Sequence, residues 1–372
     1  MEIAQELAGE RAVKTAGRTA GERARETAGE RARERAVEMA MERARERARE
    51  AAGPKAETGE ACLCRAEGVG HAYRGRWAGL SRTVKTILED VSLSIAPGAV
   101  VGLVGESGGG KSTLARLMLG AERPTSGRVL FKGREMPRPF SGEWRTLRAK
   151  IQMISQDPYA SLDARVSILE QVAEPLVIHG LADKRRSLEL ARETLAKVSF
   201  PAHHALSKPK VLSGGQLQRA VIARAVILGP ELLICDEPVS SLDVSVQAQV
   251  LALLSELKDK LGMAMLFVSH DLNVISYVSD SFAVMHKGRL VETGSVKDLA
   301  AGPAHPYTEL LLSCAPGSKR KLLATPPPAK EGERGCAFYG RCHRRKTLCQ
   351  NQAPPSVDQG SGRRAACHFP LG

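Results

Sequence analysis

The feature that most constrains this chain is one glycine-rich loop, Gly105-Glu106-Ser107-Gly108-Gly109-Gly110-Lys111-Ser112. The loop follows Val100–Val104, a short apolar run typical of a buried strand, and precedes Thr113–Gly120, a segment that favours helix. Strand, loop and helix in this order indicate a phosphate-binding loop, because glycines let backbone N–H groups and the helix N-terminus face an anion. Lys111 is then expected to reach the β- and γ-phosphates of a nucleotide, and the Ser112 hydroxyl to ligate Mg²⁺.

A second apolar run, Leu232–Cys235, ends in two adjacent carboxylates, Asp236 and Glu237. Strand ends at the carboxyl edge of a sheet are where α/β proteins bind ligands. Two adjacent acids alone are more often a solvated strand end, and the phosphate loop in the same chain reverses that preference. Asp236 is predicted to hold Mg²⁺, directly or through water, and Glu237 to polarise an attacking water as general base.

Composition excludes several classes of protein. Of the 372 residues 43% are hydrophobic, which is enough for a sizeable core, and the apolar runs are far shorter than the ~18 residues of a membrane-spanning helix. The N-terminus has no basic start followed by an apolar run, so no secretory signal is expected. The eight cysteines are then expected to be reduced or metal-bound. A secreted mini-protein, a collagen-like fibre and an integral membrane protein are excluded.

The chain divides into three parts by texture. Residues 1–53 are low-complexity Arg/Glu/Ala sequence, predicted to be a solvated or partly helical extension, and Met39 leaves open that they lie upstream of the true start. Residues 60–302 alternate strand-like runs and amphipathic helices, as α/β domains do, with a helical subdomain at about 157–213. Residues 303–372 form a C-terminal extension, within which a proline-rich linker at 326–328 leads into a tail rich in cysteine and basic residues. Further strands are predicted at Val91–Ile95, Met265–Val268 and Phe282–Met285.

The net charge of +13 lies mostly near the C-terminus. Residues 1–53 hold twelve basic and eleven acidic residues, whereas residues 315–372 hold eleven basic and three acidic ones. A basic tail can contact nucleic acid or anionic lipid headgroups, and a solvated surface explains it equally well.

A third motif makes a family resemblance specific. Leu212-Ser213-Gly214-Gly215-Gln216 opens a helix roughly 100 residues after Lys111 and resembles the signature of ATP-binding-cassette (ABC) ATPases. The family's other elements are found in their usual order along the chain and are matched by Gln156 (Q-loop, before the signature), Asp243 (D-loop) and His270 (switch histidine). Tyr73 is the best candidate for the aromatic residue that stacks on adenine, with Trp77 or no aromatic residue as alternatives.

The resemblance implies the fold class, the cofactors and the site residues. The fold would be an α/β P-loop NTPase of the ABC cassette type, with a RecA-like core sheet, an antiparallel β edge and a helical subdomain, followed by the Cys-rich extension. The chain would bind ATP and Mg²⁺ and hydrolyse ATP to ADP and phosphate. The implied ATP-binding residues are Gly105, Glu106, Ser107, Gly108, Gly109, Gly110, Lys111, Ser112, Thr113 and Tyr73; the Mg²⁺ ligands are Ser112, Asp236 and Gln156; the catalytic residues are Glu237, His270 and Gln156.

The resemblance also implies a site shared between two chains. The signature residues Ser213, Gly214, Gly215 and Gln216 would bind the γ-phosphate only from a second cassette, because in the resembled fold they lie far from Lys111 of their own chain. Two cassettes would then pair head to tail around ATP, and hydrolysis would reopen the pair.

Three segments narrow the resemblance, which covers about 62–370. Residues 156–162 are similar to the Q-loop of ATPases that drive peptide and nickel importers, and residues 235–251 nearly match that group's Walker B and D-loop stretch. His305-Pro306-Tyr307-Thr308 matches the start of the C-terminal extension of the oligopeptide/dipeptide group, while Asp163-Ala164-Arg165 departs from the usual Asn-Pro-Arg.

The function implied is that of the ATPase subunit of an importer of dipeptides or oligopeptides, at the cytoplasmic face of the inner cell membrane. Its partners would be a second ATPase subunit, identical or related, two transmembrane permease subunits and an external solute-binding protein. A nickel or other metal importer of the same family is the alternative. A soluble ABC ATPase acting on nucleic acid is a third hypothesis: the basic tail favours it, and the single cassette and the aromatic content of 4% argue against it.

Four cysteines of the extension, Cys336, Cys342, Cys349 and Cys367, are separated by 5, 6 and 17 residues. This spacing lacks the Cys-x-x-Cys steps of structural zinc sites, which places zinc third among the interpretations. Some peptide-importer ATPases resemble this tail and bind an iron–sulfur cluster through it, and cluster ligation tolerates varied spacing. The sequence therefore favours an iron–sulfur cluster and four unligated thiols equally.

Overall fold

The computed structural model describes residues 62–78, 81–314, 335–360 and 362–371. These residues belong to one compact unit, Ala56–Gly372. The predicted extension at residues 1–53 and the proline-rich linker at 326–328 lie outside the described residues.

The described residues form strands and helices in alternation. In chain order the strands are β1 (Cys64–Ala78), β2 (Ser81–Ile95), β3 (Val100–Val104), β4 (Ser126–Phe131), β5 (Arg134–Glu135), β6 (Ile151–Ile154), β7 (Leu232–Asp236), β8 (Ala264–Ser269), β9 (Ser281–His286), β10 (Arg289–Ser295), β11 (Ser356–Asp358) and β12 (Arg364–Ala366). The α-helices are α1 (Lys111–Met118), α2 (Gly142–Lys150), α3 (Ile168–Ile178), α4 (Lys184–Lys197), α5 (Gly214–Val226), α6 (Val244–Leu261), α7 (Leu272–Val278), α8 (Val296–Ala301), α9 (Pro306–Cys314) and α10 (Thr347–Asn351). Short 3₁₀ turns occupy Ala202–His204, Pro209–Val211 and Tyr339–Arg341.

A parallel sheet lies at the centre, with its strands in the order β9-β3-β8-β7-β6. It is buried on both faces, which explains why these strands read as continuous apolar runs. In β3, Val100 and Val104 contribute to the core on one face, and Val101 and Leu103 to the core on the other. The strands predicted in β3, β7, β8 and β9 are confirmed.

A separate antiparallel sheet, in the order β2-β1-β4-β5, covers one face of this centre. Its strand β2 ends in the predicted alternation, with Val91, Leu93 and Ile95 buried and the two serines between them exposed. Helix α1 packs against strands of both sheets. It begins at Lys111, two residues earlier than predicted, because the end of the glycine-rich loop already forms its first turn.

The helices α3, α4 and α5 pack together on the opposite face of the parallel sheet. Helix α3 begins with a capping box in which Ser167 and Glu170 satisfy each other's backbone N–H groups. Asp183 caps α4 by accepting a hydrogen bond from the Arg186 N–H. Across the described ranges, no helix combines the length and the apolar character needed to cross a bilayer.

The C-terminal extension is built into the edge of the parallel sheet. Strand β12 pairs with β10, placing Ala365 opposite Glu292. Glu292 is 1% exposed, and its carboxylate accepts hydrogen bonds from the N–H groups of Ala304 at 2.9 Å and His305 at 2.8 Å, as well as from Arg363 at 2.6 Å. A buried carboxylate with all these donors is fully paired, so it ties the start and the end of the extension to one strand.

Candidate active site

The glycine-rich loop connects β3 to α1 and runs along the end of β9. Two of its glycines are required by space: a β-carbon at Gly105 would lie 2.1 Å from the Met285 carbonyl oxygen, and one at Gly110 would lie 2.7 Å from Leu88 Cδ2. Gly110 also has a φ of +101°, which disfavours other residues. The loop therefore follows its neighbours closely, with its remaining N–H groups available to an anion.

Lys111 lies under this loop and is 4% exposed. Its Nζ donates hydrogen bonds to the carbonyl oxygens of Gly105 at 2.8 Å and Glu106 at 3.0 Å, and it lies 4.0 Å from Glu237 Oε1. Burial lowers the pKa of the Lys111 amine, and the carboxylates of Glu237 and Asp236 act against that shift. The ammonium is thus held where the phosphates of a nucleotide could exchange with its carbonyl partners.

Ser112 and Asp236 offer two oxygen ligands side by side. The Ser112 hydroxyl donates a hydrogen bond to Asp236 Oδ1 at 3.1 Å, and Asp236 is 6% exposed. Burial raises the pKa of the Asp236 carboxyl, because the buried carboxylate is poorly solvated. A cation bound beside the carboxylate would compensate its negative charge. A hydroxyl and a carboxylate are hard oxygen donors of the kind that Mg²⁺ takes, so the residues fit the predicted ion.

Glu237 is the point at which the predicted catalytic residues meet. Its Oε2 accepts a hydrogen bond from Gln156 Nε2 at 3.4 Å and lies 3.2 Å from His270 Nδ1. The residue itself has a φ of +49°, and its N–H donates to the Val268 carbonyl oxygen at 3.0 Å. A non-glycine residue in left-handed backbone is costly, and the parallel strands on either side hold it so that the carboxylate leaves the sheet edge.

The signature residues are not part of this cluster. Ser213 is exposed, and the hydrogen bonds described for it run to Gln216, with which it forms the capping box of α5. Asp243 is also exposed and caps α6, and the hydrogen bond from the Ser245 hydroxyl lowers its pKa. A β-carbon at Gly215 would lie 2.8 Å from Val246 Cγ1, so the signature and D-loop segments pack closely on each other.

Tyr73 lies on β1, over the last turn of α1. Its hydroxyl donates to Glu122 Oε2 at 2.7 Å and accepts from Arg116 at 3.0 Å, and its ring meets His71 edge-on. Tyr73 as a whole is 38% exposed, and its role as the residue that stacks on adenine stays a prediction. The side chain of the alternative, Trp77, lies outside the described part of the chain.

Two residues of the extension contact the phosphate loop, and the sequence did not identify either as functional. The Tyr307 hydroxyl accepts a hydrogen bond from the Glu106 N–H at 2.9 Å. Arg341 donates to both carboxylate oxygens of Glu106, at 2.7 and 2.9 Å. Tyr307 lies in the motif at residues 305–308, for which the sequence predicts no role in the site. Nothing in the sequence around Arg341 indicates a function, except that it directly precedes Cys342.

The four predicted cysteines of the extension line one pocket. Cys342 and Cys349 are buried, and burial raises the pKa of Cys342 to about 11. Burial also raises the pKa values of Cys336 and Cys367. Within the described residues, no three His, Cys, Asp or Glu side chains converge closely enough to hold a single metal ion.

Two family models match the chain. The model described as ABC transporter matches residues 88–240, and the model described as oligopeptide/dipeptide transporter, C-terminal region, matches residues 291–349. The second match begins in β10 and ends within the cysteine-rich part of the extension, so it includes Tyr307 and Arg341, the two residues of the extension described above as contacting Glu106.

Relatives align with most of the chain. A probable peptide ABC transporter ATP-binding protein of Sinorhizobium fredii is 42% identical over 299 residues, covering 78% of this chain and 85% of the relative. A putative peptide import ATP-binding protein of Brucella ovis is 42% identical over 316 residues, covering 83% of this chain and 98% of the relative.

Among solved structures, a dimeric post-hydrolysis state of an ATP-binding cassette bound to ADP and Pi superimposes with a TM-score of 0.57. It is 27% identical, and the match covers 63% of this chain and 99% of that chain. A protein from Clostridium perfringens that is part of an ABC transporter complex superimposes with a TM-score of 0.56 at 26% identity, covering 65% of this chain and 92% of that chain.

Proposed function

The chain belongs to the ABC transporter family, among its peptide-import ATP-binding proteins, and from this premise we propose that it hydrolyses ATP to drive peptide uptake through a membrane permease. The predicted family and the predicted cassette fold are confirmed by these matches and by the superimposed cassettes. The relatives named above give no support to the nickel-importer and nucleic-acid hypotheses.

The observation that carries the proposal is the environment of the Glu237 carboxylate. A lysine, a glutamine and a histidine surround it, and the Ser112–Asp236 pair lies on the preceding strand end and the loop. A carboxylate beside a phosphate loop, with partners that orient it, is what a general base for water attack requires.

In the proposed reaction, loop N–H groups and Lys111 bind the triphosphate. Ser112 and Asp236 would hold Mg²⁺, which when bound neutralises phosphate charge. Glu237 accepts a proton from a water molecule whose oxygen bonds to the γ-phosphorus. The bond from that phosphorus to the β–γ bridging oxygen breaks, and ADP and phosphate leave. Gln156 and His270 orient the carboxylate and the water.

The exposed signature supports a second cassette as partner in this proposal. Ser213 and Asp243 are both exposed and lie on segments that pack on each other, which leaves them available to a second cassette. The superimposed cassette bound to ADP and Pi is dimeric. We include in the proposal a pair of cassettes on the cytoplasmic side of two permease subunits, with an external solute-binding protein delivering the peptide.

Uptake measurements in the native host test the transport function. Cells carrying Glu237→Gln in place of the wild-type chain are expected to lose uptake of a labelled dipeptide or tripeptide by at least about tenfold. Uptake of the labelled free amino acid is the control and stays unchanged. Loss of radioactive nickel uptake with normal peptide uptake would instead support the metal-importer hypothesis.

We further propose that the four cysteines of the extension ligate an iron–sulfur cluster. The four thiols share one pocket, in which burial raises the pKa values of Cys336, Cys342 and Cys367. Metal ligation there would release the thiol protons. An iron–sulfur cluster takes one thiolate per iron, so four thiols that line one pocket match its number of ligands. When bound, a cluster would supply a redox-active centre that crosslinks the extension.

Iron and acid-labile sulfide analysis of anaerobically purified protein tests this second proposal. Both are expected in the wild-type chain and lost in Cys342→Ser and Cys349→Ser. Cys62→Ser is the matched control, because Cys62 lies at the start of the described cassette. Metal-free protein in which all four thiols react with an alkylating agent would contradict the cluster.

A further inference from the structure

Every polar group of Glu106 is engaged. Its N–H donates to the Tyr307 hydroxyl at 2.9 Å, and its carboxylate accepts from Arg341 at 2.7 Å. Its carbonyl oxygen accepts from Lys111 Nζ at 3.0 Å and from the Gly109 N–H at 3.2 Å. Two of these four partners lie in the C-terminal extension, more than 200 residues along the chain. The second residue of the phosphate loop is therefore held as much by the extension as by the loop itself.

The two partners from the extension are themselves fixed. Tyr307 is fully buried at 0% exposure, with its ring 4.3 Å from that of His286 and 5.3 Å from that of Phe338. The Arg341 guanidinium lies 5.9 Å from the Phe338 ring. The buried Glu292 carboxylate, which accepts from the His305 N–H, secures the start of α9 to the sheet. The contacts on Glu106 thus come from a packed surface, not from a loose tail.

The charge on Glu106 gives Arg341 a specific task. A carboxylate in the second position of a phosphate loop lies close to where a triphosphate binds, and like charges at short range oppose binding. Arg341 donates to both oxygens of that carboxylate and so compensates its charge. Both side chains are close to half exposed, 43% for Arg341 and 42% for Glu106, so the compensation is modest and sensitive to salt.

We propose that Tyr307 and Arg341 are positioning residues for nucleotide binding, through which the C-terminal extension sets the affinity of the phosphate loop for ATP. Tyr307 fixes the loop backbone at Glu106, and Arg341 cancels the carboxylate that would otherwise repel the phosphates. The inference rests on the proposed ATPase function, because it assigns these residues to that same site. It also connects the loop to the four-thiol pocket, since Arg341 directly precedes Cys342.

The test measures the Kd of a fluorescent ATP analogue and the steady-state kinetics of the full chain. Arg341→Gln is expected to weaken binding about two- to fivefold at low salt and less at high salt. Tyr307→Phe is expected to weaken it about fivefold, because the Glu106 N–H loses its acceptor. Both variants should raise KM and leave kcat near its wild-type value, since the loop holds ATP equally before and during reaction.

Rescue separates charge compensation from a general loss of structure. In Glu106→Gln the carboxylate is gone, so adding Arg341→Gln should cost no further affinity. A double variant that binds as weakly as Arg341→Gln alone would overturn the electrostatic argument.

Matched controls come from the same extension. Arg364 hydrogen-bonds to Ser356, and the Tyr339 hydroxyl to Gln350, so both bond inside the extension. Arg364→Gln and Tyr339→Phe are expected to bind ATP with the wild-type Kd. Unchanged Kd in Arg341→Gln and Tyr307→Phe, with only a lowered Tm, would overturn the inference while leaving the ATPase function intact. A wild-type chain that binds ATP but does not hydrolyse it would instead fail the proposed function.

Discussion

The two halves of the predicted nucleotide site differ in what holds them. The phosphate-loop half, Lys111, Ser112, Asp236 and Glu237, is largely buried and its side chains bond to one another. The signature half, Ser213–Gln216, begins at an exposed serine and bonds within its own helix start. One half is thus assembled by the fold of a single chain, whereas the other is pre-shaped and lacks a partner within the described residues.

This difference fits the proposed pairing, in which the phosphate-loop half would bind nucleotide within one chain and the signature half would meet the nucleotide of a second chain. Capping of α5 by Ser213 already orders the signature backbone, so a second cassette would meet a formed surface. Substitutions in one half at a time separate their contributions to turnover.

The largest effect is expected in the phosphate-loop half. Glu237→Gln removes the base but keeps a hydrogen-bonding side chain of the same size, so ATP should still bind while turnover falls about 10²- to 10⁴-fold. Because the γ-phosphate then stays, the paired state should accumulate, measured as an ATP-dependent dimer by size-exclusion chromatography.

Glu256→Gln provides the control, because Glu256 is exposed on α6 and pairs with Lys260. Its turnover should match the wild type. Undiminished hydrolysis in Glu237→Gln would show that another group accepts the proton.

The signature half is tested by mixing two inactive chains. Lys111→Ala disables a phosphate loop and Ser213→Arg disables a signature, so each homodimer should be inactive. In an equal mixture, half of the pairs combine the two variants, and each such pair retains one intact site. Turnover should therefore return to about a quarter of the wild-type value when the chain pairs with itself.

A chain carrying both substitutions, mixed with Lys111→Ala, serves as the control and should stay inactive. If Ser213→Arg alone kept full activity, the signature half would have no part in hydrolysis.

The last prediction concerns the pH dependence of stability, because two buried histidines contact Tyr307, which in turn contacts the phosphate loop. Burial lowers the pKa of His286 to about 4 and that of His305 to about 3, from about 6.5 in an unfolded chain. Unfolded imidazoles bind protons below pH 6.5 while the folded ones stay neutral. These two residues should therefore lower the free energy of unfolding by about 2 to 4 kcal/mol between pH 7.5 and pH 5.

Urea unfolding at the two pH values measures the difference. His286→Gln should reduce it by roughly half, because one of the two buried imidazoles is gone. The exposed His203 offers a control, His203→Gln, that should leave the difference unchanged. An equal pH dependence in the wild type and His286→Gln would contradict the assignment.

Sequence patterns predicted the centre of the fold well. The strands at Val100–Val104 and Leu232–Cys235 are short runs of apolar residues, which is the pattern expected of strands in a parallel sheet that is buried on both faces. The cluster on Glu237 was predictable in membership, because motifs in order imply a known arrangement. The distances between the members of this cluster could not be predicted, since they depend on the left-handed backbone of Glu237 and on the register of the strands.

The contacts of the extension with the phosphate loop were beyond prediction. Glu106 and Arg341 are 235 residues apart, and nothing in the local sequence of either indicates the other. The shared pocket of the four cysteines was equally beyond prediction, because their spacing in the sequence does not show that the chain folds around one cavity there.

The sequence alone determined which chemistry this chain carries, because phosphate loops, paired carboxylates and caps act over a few residues and leave local patterns. The tertiary structure alone decided which groups touch: that Gln156, His270 and Lys111 surround one carboxylate, that Ser213 is exposed, and that Tyr307 and Arg341 reach Glu106. The physical reason is that these contacts are set by how sheets and helices pack, and packing joins residues that no local pattern connects.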